Sequence, residues 1–301
     1  MGEPSFFKLL RAFTRPAATP PDGAKLVTIA FSHYVEKARW GLDLSPLRDR
    51  YVEDAHMPVF HAPYVMAISK DRKKTGTPLL LLPDGEVVHD STLILQHLCR
   101  AYPQEMGHLY PPGLEEEVRR HWRVSAVPCV QHTPFEPPPP LFRFQPQVKA
   151  LEHEFDEKLG VASRRVAYFG MAQARAEGVS TANPALFDTA THVIPRVEAW
   201  LWWLMERGIL PRMLEFMDIT EATAATALED CRAVFQRASA LLAEPGPDGR
   251  SPRRYLLGTE KITAADITFA ALAYPLLGPP QFASLVGGSR VRAYRCMVDP
   301  L

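Results

Sequence analysis

Residues 75–98, TGTPLLLLPDGEVVHDSTLILQHL, constrain the fold more than any other segment. Residues 79–82 are a continuous run of leucines, which is typical of a strand buried on both faces. The Pro-Asp-Gly triplet at 83–85 predicts a tight turn, because glycine takes positive φ without strain. Residues 86–89 are predicted to form the returning strand, so the segment predicts a β-hairpin.

A helix is predicted to begin directly after the hairpin. Asp90 or Ser91 is suited to cap it, since a side-chain oxygen there accepts a free amide of the first turn, and the apolar pattern LILQHL follows. A helix start also favours a nearby anion. The hairpin and the helix start therefore predict a polar edge that binds a small, charged, peptide-like ligand.

Pro78 stands just before the buried strand, where it donates no backbone hydrogen bond. A cis Thr77–Pro78 bond would leave the N–H and C=O of Thr77 pointing into a cleft. Only about 5–6% of X–Pro bonds in folded proteins are cis. Taken by themselves, these residues favour an ordinary trans, strand-opening proline.

Four segments in order, KLVTIAF, SHYVEKARWGLD, GTPLLLLPDGEVVHDS and ILQHL, resemble the thioredoxin-fold domain of the glutathione S-transferase superfamily over residues 25–103. In that family the proline matching Pro78 is cis, and the residue matching Thr77 pairs its backbone with the cysteine of glutathione. The acid–serine pair matching Asp90–Ser91 holds the γ-glutamyl end. The connection containing His61 often contributes to the glycine end, so His61 is a further candidate.

A second motif lies near the end of the chain, in RYLLGTEKITAADITFAAL. Thr263 and Asp266 fit a capping box, in which Thr263 caps the amide three residues on and Asp266 reaches back to the N–H of Thr263. The motif resembles the buried capping box of the glutathione transferase helical domain. Its implied role is structural, in folding.

The resemblance implies an α/β thioredoxin-like N-terminal domain followed by an all-α helical-bundle domain. The length of 301 residues also fits two domains, at about 100–200 residues each. The predicted parts are an N-terminal arm (1–24), the thioredoxin-like domain (25–103), a linker (104–113) and a helical domain (114–301). The helical domain carries a Pro- and Phe-rich insertion at 132–147, which we interpret as a packed surface loop or, alternatively, as a lid or partner-docking segment.

Charge and composition exclude several classes of function. Lys plus Arg equals Asp plus Glu at 34 each, which argues against broad binding to nucleic acid or to an acidic membrane surface. No apolar run approaches the roughly 18 residues of a membrane span. The cysteines are far apart, which predicts neither a disulfide framework nor a metal site and favours a reducing, cytoplasmic compartment. Organellar targeting by residues 1–24 is left open.

Glutathione chemistry needs a thiolate near neutral pH, and the resemblance places the sulfur at the start of the first helix. Ser32 matches the serine or cysteine that contacts sulfur in the family, where a hydroxyl helped by the helix N-terminus would stabilise the thiolate. His33 and Tyr34 are further candidates. Homologues with a Ser-His-Tyr-Cys-Glu-Lys signature carry cysteine where this chain has Val35, which disfavours deglutathionylase or thiol oxidoreductase activity.

Structural roles compete with each of these assignments. Ser32 is equally suited to be a simple helix N-cap, and Tyr34 to pack. His33 is expected to be a positioning or surface residue rather than a general base. Lys37 and Arg39 are expected to form salt bridges or line the fold rather than to bind substrate. His56 and His61 lack a well-placed third ligand, so no metal is expected.

The predicted function is a glutathione transferase-like activity, with glutathione as co-substrate attacking a hydrophobic electrophile. The acceptor pocket would be lined by tryptophans of the helical domain, Trp122, Trp200, Trp202 and Trp203. One alternative is a non-catalytic binding or scaffold protein with this fold; a weaker one is a glutathione-dependent isomerase or dehalogenase. The resemblance also implies a homodimer.

Overall fold

A computed structural model describes residues 22–29, 32–69, 75–111, 146–176, 196–246, 249 and 251–277, and the structural statements below refer to these residues. The arm before residue 22, Trp122 and residues 132–145 of the predicted insertion lie outside them. Residues 146–147, at the end of the predicted insertion, form the start of a helix.

A four-stranded sheet organises the N-terminal domain. Its strands are β1 (Ala24–Ile29), β2 (Tyr51–His56), β3 (Leu79–Leu81) and β4 (Val87–His89), in the order β2-β1-β3-β4. β1 and β2 are parallel, whereas β3 is antiparallel to both β1 and β4. The predicted hairpin is therefore confirmed, and Gly85 takes φ 88° in its turn.

Helices cover both faces of this sheet. They are α1 (His33–Leu44), α2 (His61–Ser69), α3 (Ser91–Ala101) and the short α4 (Pro103–Met106), which a 3-10 turn follows. Successive residues of β1 alternate between faces. Leu26 packs with residues of α1 and α3, while Val27 packs with Tyr64 and Val65 of α2.

The second part of the chain is helical. It contains α5 (Pro146–Phe155), a π-helical turn (Asp156–Gly160), α6 (Val161–Ala176), α7 (Arg196–Phe216), α8 (Glu221–Ala243) and α9 (Ala264–Leu277). The apolar α9 packs against α1, α5 and α6. Its core is continuous with that of the sheet domain, so a thioredoxin-like domain is joined to a helical domain, as predicted.

Thr263 and Asp266 sit at the start of α9. Asp266 Oδ2 accepts from Thr263 N at 2.8 Å and from Thr263 Oγ1 at 2.6 Å, and Asp266 Oδ1 accepts from Leu256 N at 2.8 Å. The aspartate thus reaches back as expected. The threonine hydroxyl differs from expectation, because it donates to the carboxylate.

Among the described helices, none is both long and apolar enough to cross a membrane.

Candidate functional site

The Thr77–Pro78 peptide bond is cis, as the resemblance implied and contrary to the reading of these residues alone. Asp90 N donates to Pro78 O at 3.1 Å, which holds the bond against the end of β4. Within the described residues, the buried Thr77 Oγ1 has no hydrogen-bond partner. This edge therefore places Thr77 beside the start of α3.

Asp90 is the residue that caps α3. Its Oδ1 accepts from Thr92 N at 2.8 Å and from Leu93 N at 3.3 Å, and its backbone has φ 74°. Ser91, the alternative cap, is the first residue of the helix and is buried. The exposed Asp90 carboxylate and the amides of α3 together form a polar edge with both a negative charge and a helix N-terminus.

Ser32 occupies the N-cap position of α1, with φ −75° and ψ 122°. Its backbone N–H donates to Ile29 O at 3.3 Å, but its side chain makes no capping hydrogen bond. The half-buried hydroxyl therefore lies at the N-terminus of α1 without a hydrogen bond to the backbone amides of that helix.

His33 points into the helical domain. Its Nε2 lies 2.9 Å from Gly160 O, and because a carbonyl only accepts, Nε2 carries the proton. Burial lowers the pKa of His33 to about 4, and the charge of Arg164 contributes, although the hydrogen bond to Gly160 opposes the change. The ring is therefore neutral at neutral pH and joins α1 to the π-helical turn.

Tyr34 also contacts that turn. Its hydroxyl donates to Asp156 O at 3.1 Å, and burial raises the pKa of Tyr34 to about 12. A methyl group built on Gly160 would come 2.7 Å from Tyr34 Cζ, so the glycine allows the ring its position. The phenol proton is directed to the backbone of the helical domain.

Lys37 is fully buried and binds two carboxylates of the helical domain. Its Nζ lies 3.0 Å from Glu152 Oε1 and 2.9 Å from Asp156 Oδ2, and it donates to Thr92 Oγ1 at 2.6 Å. Tyr110 donates to Glu152 at 2.9 Å. The prediction that Lys37 forms salt bridges is confirmed.

Arg39 is likewise held by two acids. Its Nε donates to Glu53 Oε2 and its Nη1 to Glu36 Oε2, at 2.9 and 2.8 Å. The predicted salt-bridge role is confirmed here too.

A comparison of the sequence with known families finds a match to the sheet domain. Residues 26–106 match the family described as "Glutathione S-transferase, N-terminal domain". The match covers the sheet domain and indicates a glutathione S-transferase N-terminal domain over these residues. No curated protein matches the sequence.

Solved structures are similar to this chain over most of its length. The beta-etherase LigF from Sphingobium sp. strain SYK-6 is 16% identical with a TM-score of 0.50, covering 92% of this chain and 93% of its own. A glutathione S-transferase of Ceriporiopsis subvermispora in complex with glutathione is 16% identical with a TM-score of 0.48, covering 92% and 97%. A glutathione S-transferase from Methylobacterium radiotolerans, in complex with glutathione sulfonate, is 15% identical with a TM-score of 0.46, covering 92% and 89%.

His61, the remaining histidine candidate, lies on the opposite side of the four-stranded sheet from α1. His61 begins α2, and burial lowers its pKa to about 4, with the charge of His56 as the next cause. His56 Nδ1 lies 2.9 Å from Glu198 Oε1 of α7, and Met57 N donates to Glu198 Oε2 at 3.1 Å. Among the described residues no group of His, Cys, Asp or Glu is suited to a metal ion.

Cys99 and Cys231 are buried free thiols. Burial raises the pKa of each to about 12. Neither is therefore a reactive thiolate. The other two cysteines lie outside the described residues.

Sequence reasoning missed Glu152, Asp156 and Gly160. Glu152 and Asp156 are four residues apart and share a helical face with Val148, Leu151 and Phe155, so two acids on an otherwise apolar face were the available signal. The sequence signal for Gly160 is weaker, because the need for glycine there is seen only in its close approach to the Tyr34 ring.

Proposed function

We propose that this protein binds glutathione at the edge formed by Thr77 and Asp90–Ser91 and activates its thiol for attack on a hydrophobic electrophile. One observation carries the proposal. The Ser32 hydroxyl, at the N-terminus of α1, makes no capping bond, which leaves it for a ligand sulfur.

Binding is assigned by the chemistry of each group. The backbone N–H and C=O of Thr77, next to the cis bond, would pair with the cysteinyl backbone of glutathione. The Asp90 carboxylate suits the γ-glutamyl ammonium, while Ser91 and the amides at the start of α3 suit its carboxylate. His61 is proposed for the glycine end.

Activation follows from the placement of Ser32. A thiol with a pKa of about 8.5 is mostly protonated at neutral pH, and a hydroxyl donor at a helix N-terminus favours the thiolate. The thiol proton leaves to solvent, the sulfur lone pair forms the carbon–sulfur bond, and the leaving group departs with its electron pair. His33 and Tyr34 hold α1 on the helical domain and take no proton in this scheme.

The helical domain is proposed to supply the acceptor pocket. Trp202 is buried and belongs to the interior, whereas Trp200 and Trp203 are about half exposed on α7. The latter two are therefore the better candidates for an apolar acceptor surface. We also propose that the acceptor is hydrophobic, that the protein forms a homodimer and that it is cytoplasmic.

A binding or scaffold role is the second candidate. It is favoured by Val35, which is fully buried where related sequences carry cysteine. An isomerase or dehalogenase using the same thiolate is a third.

Calorimetric titration with glutathione, followed by a conjugation assay with a generic aryl halide, separates these functions. The proposal expects binding, plus turnover that collapses in Ser32→Ala while binding persists. Thr226→Ala, which removes an exposed hydroxyl on α8, is the matched control and should match the wild type. Absence of binding at millimolar glutathione refutes the proposal, and binding without turnover favours the scaffold role.

A further inference from the structure

We propose that Arg164 recognises an anionic group of the acceptor, so that the enzyme prefers electrophiles carrying a carboxylate over neutral ones. The inference rests on the proposed transferase function and names the substrate class of that site.

The helix geometry places Arg164 beside the start of α1. Gly160 accepts a hydrogen bond from His33 through its carbonyl and lies directly against the Tyr34 ring. It precedes Arg164 by four residues in a continuous helix. Residues four apart share a face, and helical side chains lean toward the N-terminus. The Arg164 side chain therefore extends back toward His33 and Tyr34, which directly follow Ser32.

The Arg164 guanidinium has an unpaired nitrogen in the part of the chain that the structure describes. Its Nε is buried there without a hydrogen bond. On the same helical run, Asp156 is bound by Lys37 and Thr92, and Glu157 pairs with His153. Arg39 shows the contrast, since two glutamates hold it. A buried donor of a charged group is costly to leave unpaired, which favours an anion from outside the chain.

The His33 and Tyr34 rings near Arg164 are neutral at neutral pH, and the carboxylates of Asp156 and Asp90 also act on Tyr34. Burial lowers the pKa of His33 to about 4 and raises that of Tyr34 to about 12, and the charge of Arg164 acts on both. A cation among neutral rings suits a ligand with an apolar body and one anionic group, which a guanidinium binds with paired hydrogen bonds.

The acceptor is a better occupant than glutathione. The proposed contacts of glutathione lie on the first domain, at Thr77, Asp90–Ser91 and His61. Arg164 lies on α6 of the helical domain.

The test compares chloronitrobenzoate with its methyl ester as acceptors, using the wild type, Arg164→Met, Arg164→Lys and Arg165→Met. Arg165, the next residue, lines a crevice of about 410 Å³ between α6 and α8 and is the matched control for loss of charge. Arg164→Met should lower kcat/KM for the carboxylate about tenfold to a hundredfold and leave the ester unchanged, from the usual strength of a charged hydrogen bond. Arg164→Lys should retain part of the preference.

Two further readouts keep the outcomes distinct. The thiol pKa of bound glutathione, followed by thiolate absorbance, should be the same in Arg164→Met; a rise with equal losses for both acceptors would overturn the proposal in favour of thiolate stabilisation. Binding of nitrobenzoate, measured by calorimetry, should require Arg164. If this binding is observed without any turnover, the transferase function is refuted and the anion site is supported. Turnover of both acceptors without an Arg164-dependent preference, or no Arg164-dependent binding, refutes the anion site.

Discussion

Lys37 Nζ lies 3.0 Å from Glu152 Oε1, and neither side chain exposes more than 2% of its surface. The two residues come from different domains, α1 and α5. Desolvation offsets much of the attraction in a buried ion pair, so its main effect here is to fix where α1 sits. Because Ser32 occupies the N-cap position of α1, this pair also fixes the proposed sulfur site relative to the helical domain.

Lys37→Met is expected to destabilise the protein by about 3–5 kcal/mol, because it leaves buried carboxylates without their cation. Urea unfolding measures the loss. Lys37→Met combined with Glu152→Gln should recover part of it, since one unpaired charge is removed. Lys158→Met is the control, because Lys158 forms an exposed pair with Glu154 and should lose at most about 1 kcal/mol. A similar loss in both single variants would contradict the assignment.

Gly160→Ala is expected to destabilise by about 1–3 kcal/mol, since the new methyl group would meet the Tyr34 ring. Gly208→Ala, inside α7 with nothing within 4 Å of the built Cβ, is the matched control. It should stabilise by about 0.5–1 kcal/mol, because alanine favours helix. Thermal unfolding of the two variants should shift in opposite directions, and shifts of the same sign would count against this account.

His33 should make the protein less stable as pH falls from about 6.5 to about 4. Its folded-state pKa of about 4 lies below the unfolded value of 6.5, so the unfolded chain binds the proton first. The contribution is on the order of 3 kcal/mol, fully present above pH 6.5.

The measurement is urea unfolding across this pH range for the wild type and for His33→Gln, whose amide still donates to Gly160 O. Burial raises the pKa of Glu152, which acts in the opposite sense, and the comparison between the two proteins removes it. His153→Gln, at an exposed histidine, is the control. Equal pH slopes in the wild type and His33→Gln would refute the role of His33.

Asp90→Asn separates capping from ligand charge. Asparagine accepts the same amide hydrogen bonds and tolerates φ 74°, so stability should stay close to that of the wild type. Glutathione binding should weaken, because the carboxylate proposed to bind the γ-glutamyl ammonium is gone. Asp90→Ala should lose both binding and about 0.5–2 kcal/mol of stability. Calorimetry and urea unfolding report the two effects, and unchanged affinity in Asp90→Asn would reject the assignment of Asp90.

Local patterns predicted the elements that local physics controls. The leucine run with its Pro-Asp-Gly turn defined β3 and β4, and the acid before LILQHL defined the start of α3. The cis Thr77–Pro78 bond required the resemblance, since the residues by themselves favour trans. The partners of His33, Tyr34 and Lys37 lie more than 100 residues away, and the π-helical turn that receives them has no periodic signature. Sequence reasoning therefore recognised Lys37 as an ion-pair residue without identifying its acids.

The bond between Lys37 and the π-helical turn has a consequence for biosynthesis. The ribosome completes the sheet domain before Glu152 and Asp156 exist, so the nascent domain holds a lysine that has nothing to neutralise it in its final position. The start of α1 acquires its mature setting only after the chain has been extended past Gly160. A ribosome stalled before that point is expected to carry a sheet domain with a loosened α1, open to proteases and chaperones. The proposed glutathione site is therefore completed late in synthesis even though its residues are made first.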